Sequence, residues 1–420
     1  MPLKQQEVLW ALQADRQGEI CESTSFRAVG RSGTVVREPL AGEVSPAPYG
    51  TLFFFLPGRF PLGICQGKTA PLSTKKGAVT AVSLIPPPGY TRTLLPAWNK
   101  YSKEALPFYA YSMGALQEGE FRIAAIATEN SHRWDPTQYN SPDLKTKIKK
   151  KLKAFPRNRL LSHLSHCATE YGCYNAQNIF YDRWEGGIPV APSCNADCAG
   201  CISKKRAKAP PSPQQRIAFV PTAEEITEVA VAHLKNSQAI VSFGQGCEGE
   251  PTTQAGLLIR AITLIRERTS RGTININTNG SKPEALREMA KAGLDSIRVS
   301  LNSALESRYE SFFRPSGFSF ATVRETLAMA RGEGLFISLN LFIMPGVTDN
   351  EEEVEALFRL LREHPPHKIQ LRNLNMDPDL YFSTMPAPRG RALTIPGMLE
   401  LIRKEFPTLT LGNFTPSLRE

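Results

Sequence analysis

Three cysteines, Cys194, Cys198 and Cys201, stand within eight residues in the spacing C-x3-C-x2-C. Thiolates placed this closely on one loop converge on a single metal ion or on a cluster. Structural zinc takes four protein ligands; the loop offers three, and no histidine stands in the ten residues after Cys201. An iron–sulfur cube held by three cysteines leaves one iron open to a small molecule. Zinc completed by Cys167 or Cys173 is the competing reading. Cys21, Cys65, Cys167, Cys173 and Cys247 are scattered, and eight cysteines in 420 residues are too few for a disulfide scaffold. The pattern suits a metal site in a reducing compartment.

A loop needs elements to hold it. From Ile188 onward, extended segments at Ile188–Ala191, Ile240–Phe243, Thr273–Asn277, Ser296–Leu301, Leu335–Ile343 and Lys368–Leu374 alternate with helical patterns. Thr222-Ala-Glu-Glu225 and Asp349-Asn-Glu-Glu352 have capping-box spacing. Pro283 fits the first turn of another helix. Six strands alternating with helices predict a parallel sheet with right-handed crossovers, open or curled into part of a barrel. Such sheets bind ligands at the carboxyl ends of their strands. The short motifs fall there: CNADCAGC after the first strand, GCEGEP after the second, TNG after the third, then SLNS and MPG.

The cysteine triplet followed in this order by GEP, TNG, SLN and MPG resembles the radical S-adenosylmethionine (radical SAM) superfamily, over about residues 188–375. The resemblance implies a partial (βα)6 TIM-like barrel, with Cys194, Cys198 and Cys201 holding a [4Fe–4S] cluster whose fourth iron chelates S-adenosylmethionine. It implies reductive cleavage of that cofactor to a 5′-deoxyadenosyl radical, which abstracts hydrogen from a substrate. Gly249, Glu250 and Pro251 match the turn that meets the methionine ammonium. Ser300 and Asn302 match contacts to ribose and methionine, Arg314 a partner for the carboxylate, and Ile343 a contact to adenine. Asn279 is a site residue or a turn former. Two positions depart from the pattern: Gly200 stands where an aromatic residue is common, and Glu248 where glycine is common. The loop most resembles the peptide- and protein-modifying branch, and the resemblance implies an electron donor such as flavodoxin or ferredoxin.

Ahead of this core, residues 1–140 are rich in proline, glycine and aromatics, with short extended runs, and predict a β-rich accessory domain. Residues 141–186 predict a basic helical connector, 187–375 the core and 376–420 a C-terminal extension. Residues 1–185 are expected to form a substrate- or partner-facing module outside the core, and removal of residues 1–130 to spare cofactor cleavage while abolishing substrate turnover. The chain carries a net charge of +10, and its densest basic patch runs from Lys145 to Arg159. That patch keeps open an RNA-modifying enzyme, or a non-enzymatic zinc-stabilised nucleic-acid-binding protein. Hydrophobic residues at 41% exclude a mostly disordered chain. No apolar run is long enough for a membrane helix, and the first residues lack a secretory layout, so a cytoplasmic protein is expected.

Overall fold

The computed structural model describes residues 8–75, 78–130, 132–204, 212–236 and 238–419. Antiparallel strands between Trp10 and Ala127 build the N-terminal unit. The expected runs appear there as Leu52–Leu56, Thr80–Ile85 and the pair Glu120–Ile123 and Ala125–Ala127. Three helices follow: α1 (Leu144–Ala154), α2 (Arg159–Thr169) and α3 (Tyr174–Tyr181). Leu144 and Ile148 bury one face of α1, leaving Lys145, Lys149, Lys150 and Lys153 on the solvent face. Three members of the basic patch are already engaged, Lys147 with Asp143, Lys151 with Asp182 and Arg159 with Glu225.

The core is a seven-stranded parallel sheet in sequential order: β1 (Glu185–Gly187), β2 (Ile240–Phe243), β3 (Thr273–Thr278), β4 (Ser296–Leu301), β5 (Phe336–Ile343), β6 (Lys368–Asn373) and β7 (Thr410–Gly412). Between the strands run α4 (Ala223–Leu234), α5 (Ala255–Arg268), α6 (Pro283–Ala292), α7 (Glu306–Phe313), α8 (Phe320–Gly332) and α9 (Glu351–Glu363). α10 (Pro378–Thr384) and α11 (Ile395–Glu405) precede β7. Parallel neighbours in chain order, with every crossover on one side, curl the sheet into an open half-barrel. The fold is thus a partial TIM-like α/β core carrying a β-rich N-terminal unit.

Period-two alternation sorts the strand side chains. Ile274, Ile276, Ile297, Val299, Ile337, Leu339, Ile369 and Leu371 pack towards the helices in one large core. The opposite face is polar, and the register aligns it in rows. Asn277 pairs with Arg298, Arg298 with Ser338 and Ser338 with Lys368. One step nearer the strand ends, Ser300 pairs with Asn340 and Asn340 with Gln370.

The structure corrects three details. The first strand is Glu185–Gly187, not Ile188–Ala191. Pro189 and Pro192 have no N–H for a ladder, and the N–H groups of Val190 and Ala191 are taken by the Glu248 carboxylate. The helix after Asp349 is capped one residue later, by Asn350, whose side chain accepts from Glu352 N. Asp349 instead turns inward to accept from Gly346 N, and burial raises its carboxyl pKa to about 6. The segment after residue 376, expected as a C-terminal extension, contributes β7, which pairs with β6.

The N-terminal unit packs against the carboxyl end of the half-barrel. Arg59 pairs with Asp377 at 3.2 Å, both wholly buried, and Leu106 N donates to the same carboxylate. Arg31 and Trp98 both donate to Asp379. Arg92 reaches the Ile343 carbonyl at 2.8 Å, and Gly33 N donates to the Pro345 carbonyl. Gly346 sits at φ +83°, and a Cβ there would overlap the backbone of Gly33. The glycine of the MPG turn thus serves the junction between the two units.

Candidate functional site

The cysteine loop is fixed from three sides. Asp197 N and Ala199 N donate to the carbonyls of Phe313 and Phe312 at the end of α7, and Ser316 N donates to the Asn195 carbonyl. The Asn195 side chain accepts from Asn279 Nδ2 and donates to Ser281 Oγ, each at 2.9 Å. Asn279, the middle residue of TNG, therefore holds the loop. The third anchor is the turn after β2: Gly249 N donates to the Ala191 carbonyl and Glu250 N to the Ser193 carbonyl. A Cβ on Gly249 would overlap the Ser193 carbonyl oxygen, so the approach requires glycine.

Two buried carboxylates lock that turn. Glu250 Oε1 accepts from the backbone and hydroxyl of Thr252 and from Thr278 Oγ1, while Oε2 accepts from Asn279 N. Burial pushes its carboxyl up, against those hydrogen bonds. Glu248 accepts only from backbone, through Val190, Ala191, Gly244 and Gln245 N–H groups. Burial pushes it up to about 8, while the four donors favour the ionised form. The departure from glycine at position 248 is thus a strut that closes the β1 and β2 ends onto each other.

Cys194, Cys198 and Cys201 line one cavity of about 390 Å³ at the strand ends, together with Gly249, Glu250, Pro251, Asn279 and Ser300. Arg216 donates to Cys201 Sγ at 3.5 Å and to Ser203 Oγ at 3.3 Å. Burial pushes the Cys194 thiol up, and Arg216 opposes that shift. Among the described residues, no three His, Cys, Asp or Glu side chains are grouped to hold one metal ion. The three soft thiol donors face a cavity, with a guanidinium beside them to offset negative charge. That donor set fits a thiolate-held iron–sulfur cluster with one open position.

Three expected contacts are not brought to this cavity. Arg314 is the left-handed cap of α7, at φ +46°, and is exposed. Asn302 is buried, with Nδ2 on the Arg308 carbonyl. Ile343 is fully buried in the core and offers only its carbonyl, which Arg92 already occupies. The arginines that do line the cavity are Arg216, Arg298 and Arg372. None was found from the sequence. Arg298 and Arg372 were legible in principle, as charged residues in strands whose alternate positions are Ile, Val and Leu. Arg216 had no such signal.

The remaining cysteines stay apart from the cavity wall. Cys167 and Cys173 belong to the α2–α3 connector, and burial raises both thiols. Cys247 is pushed well up by burial, with Cys173, Glu248 and Cys167 among its electrostatic neighbours. Cys21 and Cys65 lie in the N-terminal strands Ile20–Ala28 and Arg59–Cys65.

Comparison with known proteins places the same residues together. Residues 188–361 match the family model described as the radical SAM superfamily. FeMo cofactor biosynthesis protein NifB of Klebsiella pneumoniae is 22% identical over 178 residues, covering 39% of this chain and 38% of that protein. Molybdenum cofactor biosynthesis protein 1 of Bos taurus is 26% identical over 166 residues, covering 39% of this chain and 24% of that protein. The match thus spans well under half the length of either relative. Among solved structures, methylornithine synthase (PylB) aligns at a TM-score of 0.39 and 15% identity, over 64% of this chain and 74% of that one. Enzymes of the superfamily use a [4Fe–4S] cluster and S-adenosylmethionine. Residues 188–361, which carry the three cysteines, the turns that brace them and most of the half-barrel, are the stretch that matches the radical SAM superfamily.

Proposed function

We propose that this chain is a radical SAM enzyme that holds a [4Fe–4S] cluster on Cys194, Cys198 and Cys201 and cleaves S-adenosylmethionine reductively to drive hydrogen abstraction from a substrate. One observation carries the reading: three thiols line a single strand-end cavity beside a guanidinium, on a loop braced by the GEP and TNG turns. When bound, cluster and cofactor supply a one-electron carbon–sulfur cleavage. The protein's part is positioning. Asn279 fixes the loop through Asn195, and Gly249 lets the turn approach Ser193. Glu250 ties that turn to β3, and Arg216 balances charge at Cys201. Gly249, Glu250, Pro251, Asn279 and Ser300 are the proposed cofactor contacts.

A reductant such as flavodoxin or ferredoxin would supply the electron. No helix among the described residues is long and apolar enough to cross a membrane, in keeping with a proposed cytoplasmic setting. The loop's resemblance suggests a peptide or protein substrate; the cavity itself is lined by both polar and apolar side chains, among them Asn277, Arg298, Phe312 and Phe342.

The test is anaerobic reconstitution with iron and sulfide. The protein should gain one [4Fe–4S] cluster and, with dithionite and S-adenosylmethionine, release 5′-deoxyadenosine and methionine. Cys194→Ala, Cys198→Ala and Cys201→Ala should each abolish both. Full iron loading and cleavage in the triple variant would overturn the reading. So would a wild-type protein that keeps tightly bound zinc and never yields 5′-deoxyadenosine.

A further inference from the structure

The cluster-side cavity continues into the half-barrel. A second cavity of about 220 Å³ shares Gln245, Arg298 and Arg372 with it. Beyond, a third of about 500 Å³ shares Trp134, Glu185 and Phe414 with the second. The three therefore follow one another along the polar face of the sheet. At the junction of the first two stand two arginines, and their charge is only partly answered.

Arg298 is 6% exposed, lies 4.0 Å from Glu185, and donates through Nη1 to Gln370 Oε1 and Thr415 Oγ1. Glu185 itself also accepts from Ser242 Oγ and Thr415 Oγ1. Arg372 donates to the same Gln370 oxygen at 3.2 Å and has no carboxylate within ion-pair distance among the described residues. Burial lowers the pKa of Arg298, to about 10, which leaves it charged at neutral pH. Buried Arg298 and half-buried Arg372 share Glu185, and the other carboxylate acting on Arg372, Glu129, is paired with Lys368, which leaves the junction positive.

The neutral groups point the same way. Gln370 must turn its oxygen to the two arginines, so its buried Nε2 is left without an acceptor. Asn277 must turn its oxygen to Asn275 Nδ2, because Asn275 gives its own oxygen to Ser296. Its Nδ2 is therefore orphaned as well. Arg298 Nε and Gln245 Nε2 are two further buried donors without partners, and all four lie at or beside the junction. A buried donor left unsatisfied is costly, because it has given up water without gaining a partner. Against these four donors, the acceptor Asn340 Oδ1 on the same wall also lacks a partner, and the donor surplus around two cations is complementary to an acceptor-only, negatively charged group.

We infer that the substrate is a small anionic molecule whose carboxylate or phosphate is received by Arg298 and Arg372, midway along the half-barrel and below the cluster site. This rests on the proposed radical SAM reading for the word substrate, but the anion site stands on its own geometry. Trp134 and Phe414, stacked with ring centres 5.6 Å apart, line the second cavity together with the arginines and suit an apolar or planar remainder.

The experiment is calorimetric titration of the full-length, cluster-reconstituted protein, saturated with S-adenosylmethionine, with inorganic phosphate in one arm and malonate in the other. At least one should bind at millimolar concentration, and which one does so separates a phosphorylated from a carboxylic substrate. Arg372→Gln should weaken that binding about tenfold or more, the worth of a charged hydrogen bond, and Arg372→Lys should recover part of it. Arg298→Gln should do the same where urea unfolding shows that it folds. Binding of neither anion, equal binding in Arg372→Gln, or an anion that competes with S-adenosylmethionine would overturn the inference. Cleavage to 5′-deoxyadenosine is measured separately on the wild type. Its absence alongside arginine-dependent anion binding would defeat the proposed enzyme reading and leave the anion site in place.

Discussion

At the scale of single residues, two buried carboxylates brace the cysteine loop, and one of them, Glu248, acts on backbone alone. Glu248 answers four N–H groups: those of Val190 and Ala191, where Pro189 and Pro192 break the ladder, and those of Gly244 and Gln245 just past β2. Glu248→Gln keeps the shape but turns an amide NH2 towards donors on one side. Above about pH 8, where the Glu248 carboxyl is ionised, removing the charge-assisted bonds and leaving N–H groups unpaired should cost about 2–4 kcal/mol of stability. Urea unfolding of the cluster-free protein should show that loss. A variant as stable as wild type would mean that water or a shifted loop satisfies the same donors. Glu250 differs only in that its oxygens are shared between backbone and threonine hydroxyls, and it also lines the cavity.

At the scale of elements, α4 shows how a local signal and a distant partner combine. Thr222 and Glu225 form the capping box that their spacing predicts. What the spacing does not contain is Arg159, which meets both Glu225 oxygens and joins α2 to α4. The Arg159 hydrogen bond, helped by backbone donors and opposed by burial, holds the Glu225 carboxyl down to about 2. The folded-state pKa lies below the unfolded one, so the contribution is full above about pH 4.5 and fades as pH falls towards 2. Arg159→Ala should therefore be less stable than wild type near pH 7, and the two unfolding curves should converge near pH 2. A constant difference across that range would place the effect of Arg159 elsewhere, for instance in its packing over Phe219.

The same distinction explains what was legible beforehand. Thr-Ile-Asn-Ile-Asn-Thr278 and Lys-Ile-Gln-Leu-Arg-Asn373 announce strands because alternation is a local property. The half-barrel and the grouping of strand-end motifs followed from element order. Asp349 was read as a cap, yet its neighbour Asn350 does that work while Asp349 answers Gly346, a choice made by the tertiary turn. Arg314 followed two aromatic residues and looked like a ligand. The left-handed cap of a short helix leaves it exposed, and the arginines at the cavity come from Arg216 and from two strand interiors. Pairings across tens or hundreds of residues leave no mark in local spacing.

At the scale of the whole molecule, the question is whether the N-terminal unit is an attachment or part of the fold. The sequence suggested a module whose removal spares cofactor cleavage. The interface argues for the opposite outcome. Deleting residues 1–130 would expose Asp377, which is wholly buried and accepts from Arg59 and Leu106 N, and would uncover the Ile343 carbonyl that Arg92 now satisfies. It would also strip Lys368 of Glu129. Breaking one buried ion pair by removing a single partner costs about 3–5 kcal/mol, because the other charge is left buried alone. The deletion breaks several contacts of this kind at once, beside Met376 and Leu374 of the same segment that reaches the cluster cavity. The expected result is a truncated chain that fails to unfold cooperatively and loses iron loading along with turnover. Arg59→Met in the full-length chain gives a milder check: it should lower stability by about 3 kcal/mol. Arg59→Met combined with Asp377→Leu should cost less than the two single changes added together, since neither charge then remains unpaired. A cooperative, iron-loading fragment 131–420 would instead restore the N-terminal unit to the standing of a detachable module.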